Sequence, residues 1–212
     1  MLSPSLGTSA PRAFRTYVDS LLASPISDAD LAAIGTVTVP KHLKKRGFLL
    51  QAGEVCKHFA FVLKGALRMY SLNDKGGEHL LSFGLENGWI ADRESCVLLT
   101  PSAYYIDALE DSDLLLLTHA QLQALIRTVP AMAELMRELE RRHEVATQKR
   151  LHAAISCTAE ERYAAFVTQH PDYLSRFPHH LIASYLGILP ETLSRIRAKQ
   201  LRSNALPIAS LS

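Results

Sequence analysis

The sequence is short of the residues that most covalent and redox chemistry requires. It has only three cysteines, Cys56, Cys96 and Cys157, in 212 residues. An odd, scattered count offers no disulfide framework and no thiolate spacing for zinc or iron–sulfur. The three read as buried thiols in a reducing cytoplasm. The nine histidines are equally dispersed, so no metal is expected. There is no Ser-His-Asp signature, no Gly-rich phosphate loop and no His-Glu-x-x-His. Asp92 with Glu94 reads as helix N-terminal charge rather than an acid–base pair. These absences argue against an enzyme. No apolar run approaches the roughly 18 residues of a membrane span. The opening stretch, MLSPSLGTSAPRAF, lacks the basic n-region and apolar core of a signal peptide. It reads as a loose tail on a cytoplasmic protein with no membrane partner.

What is present is a globular composition, 48% hydrophobic, enough for one large domain or two small ones. Net charge is only +2, but it is unevenly placed. Residues 1–128 hold 12 Lys+Arg and 13 Asp+Glu, whereas residues 129–212 hold 11 and 8. From Arg176 to Arg202 five basic residues face Glu191 alone. Positive charge concentrated in one segment is the electrostatic footprint of a nucleic-acid partner.

That segment contains the most informative pattern in the chain, His179 to Ile196. Apolar residues fall at Ile182, Leu186, Ile188, Leu193 and Ile196, with small Ala183 between the first two and Gly187 following Leu186. Two helices crossing over a short turn need a small side chain at their closest approach. The turn needs a residue that tolerates positive φ, which is glycine. The spacing therefore predicts a helix-turn-helix. The outer face of its second helix would present Glu191, Thr192, Ser194, Arg195 and Lys199, with Arg197 at the flank, to base edges and phosphates of double-stranded DNA. The adjacent pair His179 and His180 fits helix N-terminal polarity or, for His180, a phosphate contact rather than a metal site. The competing reading is an ordinary helical hairpin with a solvated face. Agreement of five apolar positions, one small residue and a turn glycine favours the DNA reader.

Upstream the periodicity is different. A short helix is expected over Ala13–Leu22, and Ser27 caps another beginning at Asp28. From Val37 to Leu117 short apolar runs alternate with Gly, Asn and Asp breaks. The runs begin at Gly47, Phe59, Ala66, His79, Tyr105 and Leu114. Many short strands at near-regular spacing imply a sandwich or barrel. Asn73–Gly77 reads as a hairpin turn, and Asp92 as the cap of a short helix over Arg93–Leu99. The helical period returns at His119–Thr128, then from Ala131 to Ile155. This long helix has an apolar stripe at Met132, Leu135, Met136, Leu139 and, more weakly, His143. The stripe fits packing on its own domain or pairing with a second copy, and two-fold symmetry in a DNA reader favours a homodimer. Thr158 to Glu161 is a capping box that starts the next helix.

Three stretches together resemble the Crp/Fnr family of bacterial transcription regulators. They are Leu50–Glu54, Phe61–Arg68, and Ile182–Ile188 followed by Pro190–Arg195. The resemblance covers about residues 14–201. It implies an α+β architecture. An N-terminal double-stranded β-helix or jelly roll of the cyclic-nucleotide-binding type spans 14–128. A connecting dimer helix spans 129–155. A winged-helix-like helix-turn-helix with a reduced or absent wing spans 156–202. It also implies Glu191 and Arg195 on bases, an effector domain, and RNA polymerase as a further partner.

The sequence departs from the family's cyclic-nucleotide binders. Those have a Gly-Glu before a short helix and an Arg-Ser/Thr pair beyond it, for ribose and phosphate. Here the first pair aligns as Ala91-Asp92 and the second as Ser102-Ala103, beside Tyr104, with Arg93 the nearest guanidinium in sequence. A buried phosphate without its Arg loses its strongest charge-assisted partner, so tight cAMP binding is not expected. Residues 1–55 contain no cysteine, which removes an N-terminal iron–sulfur cluster. His58, His79 and Cys96 are formal candidates for a haem axial ligand, with a core or surface role favoured for each. No cofactor is expected; a small-molecule effector is left open. The alternative to a regulator is a ligand-binding or protein-interaction module with a vestigial helix-turn-helix.

Overall fold

The computed structural model describes the backbone of residues 6–205 and the side chains of residues 12–201. The described chain forms two units that divide between Glu144 and Val145, with Glu78–Leu80 of the first half grouped with the second.

The first unit opens with two helices, α1 (Leu6–Asp19) and α2 (Asp28–Val37), followed by strands β1 (Val39–Leu43), β2 (Phe48–Leu50), β3 (Phe59–Lys64), β4 (Ala66–Leu72), β5 (Glu78–Leu85) and β6 (Trp89–Ile90). A short helix α3 (Arg93–Leu98) precedes β7 (Tyr105–Ala108) and β8 (Ser112–Leu117), after which come α4 (His119–Thr128) and the long α5 (Pro130–Ser156). The strands make two four-stranded sheets, β1-β8-β3-β6 and β2-β7-β4-β5. This is the expected jelly-roll sandwich.

Alternation on β3 and β8 explains how the sandwich is held. Ala60, Val62, Leu114 and Leu116 point to one side and join Leu67, Ile106 and Ala108 of the other sheet in the interior. Phe61, Leu115 and Leu117 point to the opposite side, where they pack with Phe14, Val18, Ile34, Leu122, Leu125, Met132 and Leu135 from the helices. Both faces of these strands are covered, so they read as unbroken apolar runs rather than alternating ones. Between β3 and β4 the chain reverses at Gly65, whose φ is +97°. A Cβ there would lie 2.3 Å from Ser112 Oγ and 2.7 Å from the Asp111 carbonyl, so only glycine fits.

Several expectations are corrected here. The tail is not loose throughout, because α1 begins at Leu6 and ends at Asp19 rather than spanning 13–22. Burial stabilises it: Phe14 meets Phe61 edge-on at 5.0 Å between ring centroids, and Val18 is fully buried. Residues 1–5 of that stretch lie outside the described residues. Strand β1 escaped sequence reading because its pattern, Val-Pro-Lys-His-Leu, is mostly exposed. Pro40 is tolerated because β1 is an edge strand. The caps follow the sequence closely. Ser27 accepts from the Asp30 N–H, and the Thr158–Glu161 box closes in both directions. Thr118 and Gln121 form another such box at α4.

The second unit contains the end of α5, then α6 (Ala159–Gln169), α7 (Tyr173–Arg176), α8 (His179–Leu186) and α9 (Pro190–Ala205). Its core is Tyr163, Phe166, Phe177, Leu181, Ile182, Ala183, Leu193 and Ile196. The single turn α7 lies in a segment expected to be irregular; Phe166 and Phe177 each meet the Tyr173 ring edge-on and hold it in place. Among the described residues no strand follows β8. The helical unit therefore shows no wing there, and α9 runs to Ala205, past Arg202, the expected end of the helix-turn-helix domain.

Candidate functional site

The turn between α8 and α9 is built by its glycine. Gly187 sits in the left-handed region with φ +64°, and its N–H reaches back to Ser184. The Ile188 N–H donates to the Ala183 carbonyl at 3.0 Å. These two bonds make the helix-ending motif in which a left-handed residue satisfies the last carbonyls. Ile182 and Ala183 are wholly buried, as are Leu193 at 1% and Ile196 at 4% exposure. Leu181 is buried too, a core position the spacing did not identify.

With those residues inward, α9 has a polar outer side. Glu191, in its first turn, is exposed, as are Ser194, Arg195 and Lys199. The Ser194 hydroxyl donates to the Pro190 carbonyl at 3.0 Å, so it is partly engaged with its own helix. Thr192 is half-buried. Arg197 is half-buried as well, and its guanidinium lies against the His179 ring at the start of α8. Burial, and then the charge of Arg197, hold the His179 imidazole below its ordinary pKa. His180 is exposed at the same helix start. The arrangement can present two acceptor oxygens from Glu191 and a donor fork from Arg195 to a surface that fits the α9 face.

At the positions aligned with the nucleotide site, polar side chains are bonded to their own neighbours. Asp92, only 7% exposed, caps α3 through the Ser95 N–H at 3.2 Å and accepts from the Ser102 hydroxyl at 2.7 Å. The Tyr104 N–H donates to that same Ser102 oxygen at 3.0 Å. Ala91 is half-buried and Ala103 exposed. Arg93 points to Glu140, at 3.3 Å. Deeper in the second sheet, Arg68 forms a two-pronged ion pair with Asp107 at 2.8 and 3.0 Å and lies over the Tyr70 ring. Tyr70 in turn stacks on Tyr105 at 5.3 Å. Sequence reading did not find this cluster, since no local motif links Arg68 to Asp107. A separate cavity of about 380 Å³ is lined by Glu54, Cys56, Lys57 and His58 among others. Among the described residues, no three His, Cys, Asp or Glu side chains are grouped to hold a metal ion.

The stripe expected to pair α5 with a second copy divides in two. Met132 and Leu135 are at 1% and 0% exposure, inside the core of their own unit, with Met136 and Leu139 packed at its margin. Met132 and Leu135 are thus intramolecular, while Met136 and Leu139 remain half-buried. From Arg141 onward the helix is almost entirely exposed, His143 included. Glu138 pairs with Arg141 and Arg142, whose hydrogen bonds hold its carboxyl down to about 2.

Comparison with known proteins agrees with this geometry. Residues 40–129 match the family model for the cyclic nucleotide-binding domain. The structure is similar to that of FixK2 from Bradyrhizobium japonicum, 18% identical over 82% of this chain and 90% of that one, with a TM-score of 0.67. It is also similar to a putative Crp/Fnr-family transcriptional regulator from Eubacterium rectale, 20% identical over 88% of each chain, TM-score 0.62. The c-di-GMP responsive global regulator CLP from Xanthomonas campestris is 12% identical over 87% of this chain and 96% of that one, TM-score 0.63. No curated protein sequence matches the chain. The family match covers residues 40–129, and the chain has the fold of these solved structures, a β sandwich followed by a helix-turn-helix. None of its described helices is long and apolar enough to cross a membrane.

Proposed function

We propose that this protein is a homodimeric, cytoplasmic transcription regulator that reads a palindromic DNA operator through α9. The observation that supports it most is the two-sided character of that helix. Leu193 and Ile196 are buried, while Glu191, Ser194, Arg195 and Lys199 are exposed within a basic segment of the chain. Glu191 is suited to accept from a cytosine amine, and Arg195 to fork onto guanine O6 and N7. Thr192, Arg197, Lys199 and His180 are assigned to phosphates, which set register rather than sequence. Pairing uses the exposed part of α5 that begins near His143, and two α9 helices then sit about one helical turn apart on the operator.

The β sandwich does not bind cAMP tightly. Asp92 is already committed to Ser95 and Ser102, and Ser102 stands where the family's arginine would meet a phosphate. The fold does not dictate that nucleotide, since the Xanthomonas campestris protein of the same fold is a c-di-GMP responsive regulator. Isothermal titration with cAMP is expected to give no binding at micromolar concentration; a micromolar dissociation constant would overturn this part.

Selection of randomised duplex DNA on the purified chain, at two salt concentrations, tests the main reading. Enrichment of a palindrome with half-sites about one helical turn apart is expected. No enrichment at either salt would overturn it and leave a ligand-binding or interaction module with a vestigial helix-turn-helix.

A further inference from the structure

Cys56 and Cys96 are distant in sequence and meet in the sandwich interior. Cys56 lies between β2 and β3, Cys96 on the inner side of α3, and both belong to one buried cluster at 5% and 2% exposure. The neighbouring thiols shift one another's acidity, and the Cys56 thiol also donates to the His58 carbonyl at 3.6 Å. The backbone fixes this approach, because the Cys56 N–H donates to Ser95 Oγ at 2.8 Å, the residue just before Cys96. The Ser95 hydroxyl is itself anchored on the Thr100 carbonyl at 2.6 Å. Cys56, and not Cys96, lines the cavity of about 380 Å³. Of the two cysteines, Cys56 is therefore the one beside a space that admits a small molecule. The third cysteine, Cys157, is half-buried between α5 and α6.

We propose that Cys56 and Cys96 form a redox site that a hydroperoxide converts to a disulfide. The Cys56 thiolate attacks one peroxide oxygen, the O–O bond breaks, and Cys56 becomes a sulfenic acid. With hydrogen peroxide the other oxygen leaves as water, taking the proton released from Cys56. The Cys96 sulfur then attacks the Cys56 sulfur. The S–S bond forms, the S–O bond breaks, and hydroxide leaves as a second water with the Cys96 proton. Two thiols lose two electrons and the peroxide gains them. The assignment of roles follows the environment. The neighbouring Cys96 thiol lowers the pKa of the Cys56 thiol, against the opposing effect of burial. Thiolate is the form that attacks a peroxide. The Cys96 thiol is pushed up, first by the neighbouring Cys56 thiol and then by burial, which suits the resolving partner. The product ties the segment between β2 and β3 to α3, the helix that Asp92 caps. This inference is independent of the DNA reading.

The test uses the full chain, reduced and then treated with hydrogen peroxide, quenched by alkylation under denaturing conditions and mapped by mass spectrometry. The expected result is a linked peptide containing Cys56 and Cys96, two hydrogens lighter than the reduced pair, with Cys157 still alkylated. Dithiothreitol should restore both thiols. Cys96→Ser should stop at a sulfenic acid on Cys56 that dimedone traps, Cys56→Ser should leave Cys96 alkylatable, and Cys157→Ser should change nothing. Full alkylation of Cys56 and Cys96 after an exposure that oxidises glutathione in the same tube would overturn the proposal. So would a product linked through Cys157. The wild-type peptide map decides the matter even where a cysteine variant fails to fold.

Discussion

The two units use polar side chains in opposite directions. In the β unit, Arg68 and Asp107 are paired at 13% and 11% side-chain exposure, and Asp92 is closed off by Ser95 and Ser102. In the helical unit, Glu191, Arg195 and Lys199 stand outside a core made only of apolar and aromatic residues. A buried polar group has to be satisfied, so in the β unit each polar residue holds the fold and is poorly placed to meet a ligand. An exposed one costs little in stability and remains available to a partner. The difference separates residues whose loss unfolds the protein from residues whose loss silences it.

The largest expected effect lies on the β side. Asp107→Ala leaves the Arg68 guanidinium buried without its carboxylate, at a cost of about 3–5 kcal/mol. Denaturant unfolding followed by fluorescence of Trp89, the single tryptophan, reports the β unit. An unchanged midpoint would mean that Arg68 and Asp107 are not the inward-facing pair described above.

Next comes a pair of neighbours on α9 that divides the helical unit along the same line. Leu193→Ala, at a site 1% exposed, should cost about 2–5 kcal/mol of stability through lost burial and a cavity. Arg195→Ala should leave helicity and Tm unchanged but cost about 1–3 kcal/mol in operator binding and relax preference at one base pair. Lys199→Ala should weaken all sequences alike and lower the salt slope by about one. Equal loss on specific and random DNA in Arg195→Ala would take that side chain off the bases.

A milder change probes the hydrogen bonds of Asp92. Asp92→Ala removes the cap of α3 and the acceptor for Ser102, and should cost about 1–3 kcal/mol. If Asp92 instead served a ligand, the same substitution would leave the unliganded protein's Tm where it was.

Much of this contrast was legible in the sequence, and the reason is locality. The helix-turn-helix depends on residues within one short segment, so Ala183, Gly187, Leu193 and Ile196 could be assigned by spacing alone. The caps at Ser27, Asp92 and Thr158 are read over four residues. What escaped was nonlocal. The contact of Cys56 with Cys96 and the pairing of Arg68 with Asp107 depend on strand order, which spacing does not encode. The stripe on α5 was visible, but whether Met132 and Leu135 faced another chain or their own β sheet was not. Its period is the same in either case, and the structure turns both inward. Helix α1 was underestimated because Phe14 and Val18 gain their stability from the sandwich rather than from helix propensity.

The smallest expected effect is a pH dependence. Burial lowers the pKa of His170, and burial with the Arg197 charge lowers that of His179, both in the helical unit. In the β unit His58 is lowered by burial and then by Lys41 and Lys57. In each case the folded state holds the neutral ring more strongly than the unfolded chain, whose histidines titrate near 6.5. Between the folded and unfolded values the unfolded chain binds more protons, so stability rises with pH there. The contribution is fully present above about 6.5 and is lost as pH falls through the folded values. Lowering the pH from about 7.5 to 5.5, across the unfolded value, should lower the Tm of both units. The combined variant His170→Gln and His179→Gln should flatten the dependence seen by hydrogen exchange of the α6–α9 amides and leave that of Trp89 fluorescence intact. If both probes flatten together, the two units do not titrate as separate bodies, and the division of labour drawn between them has to be redrawn.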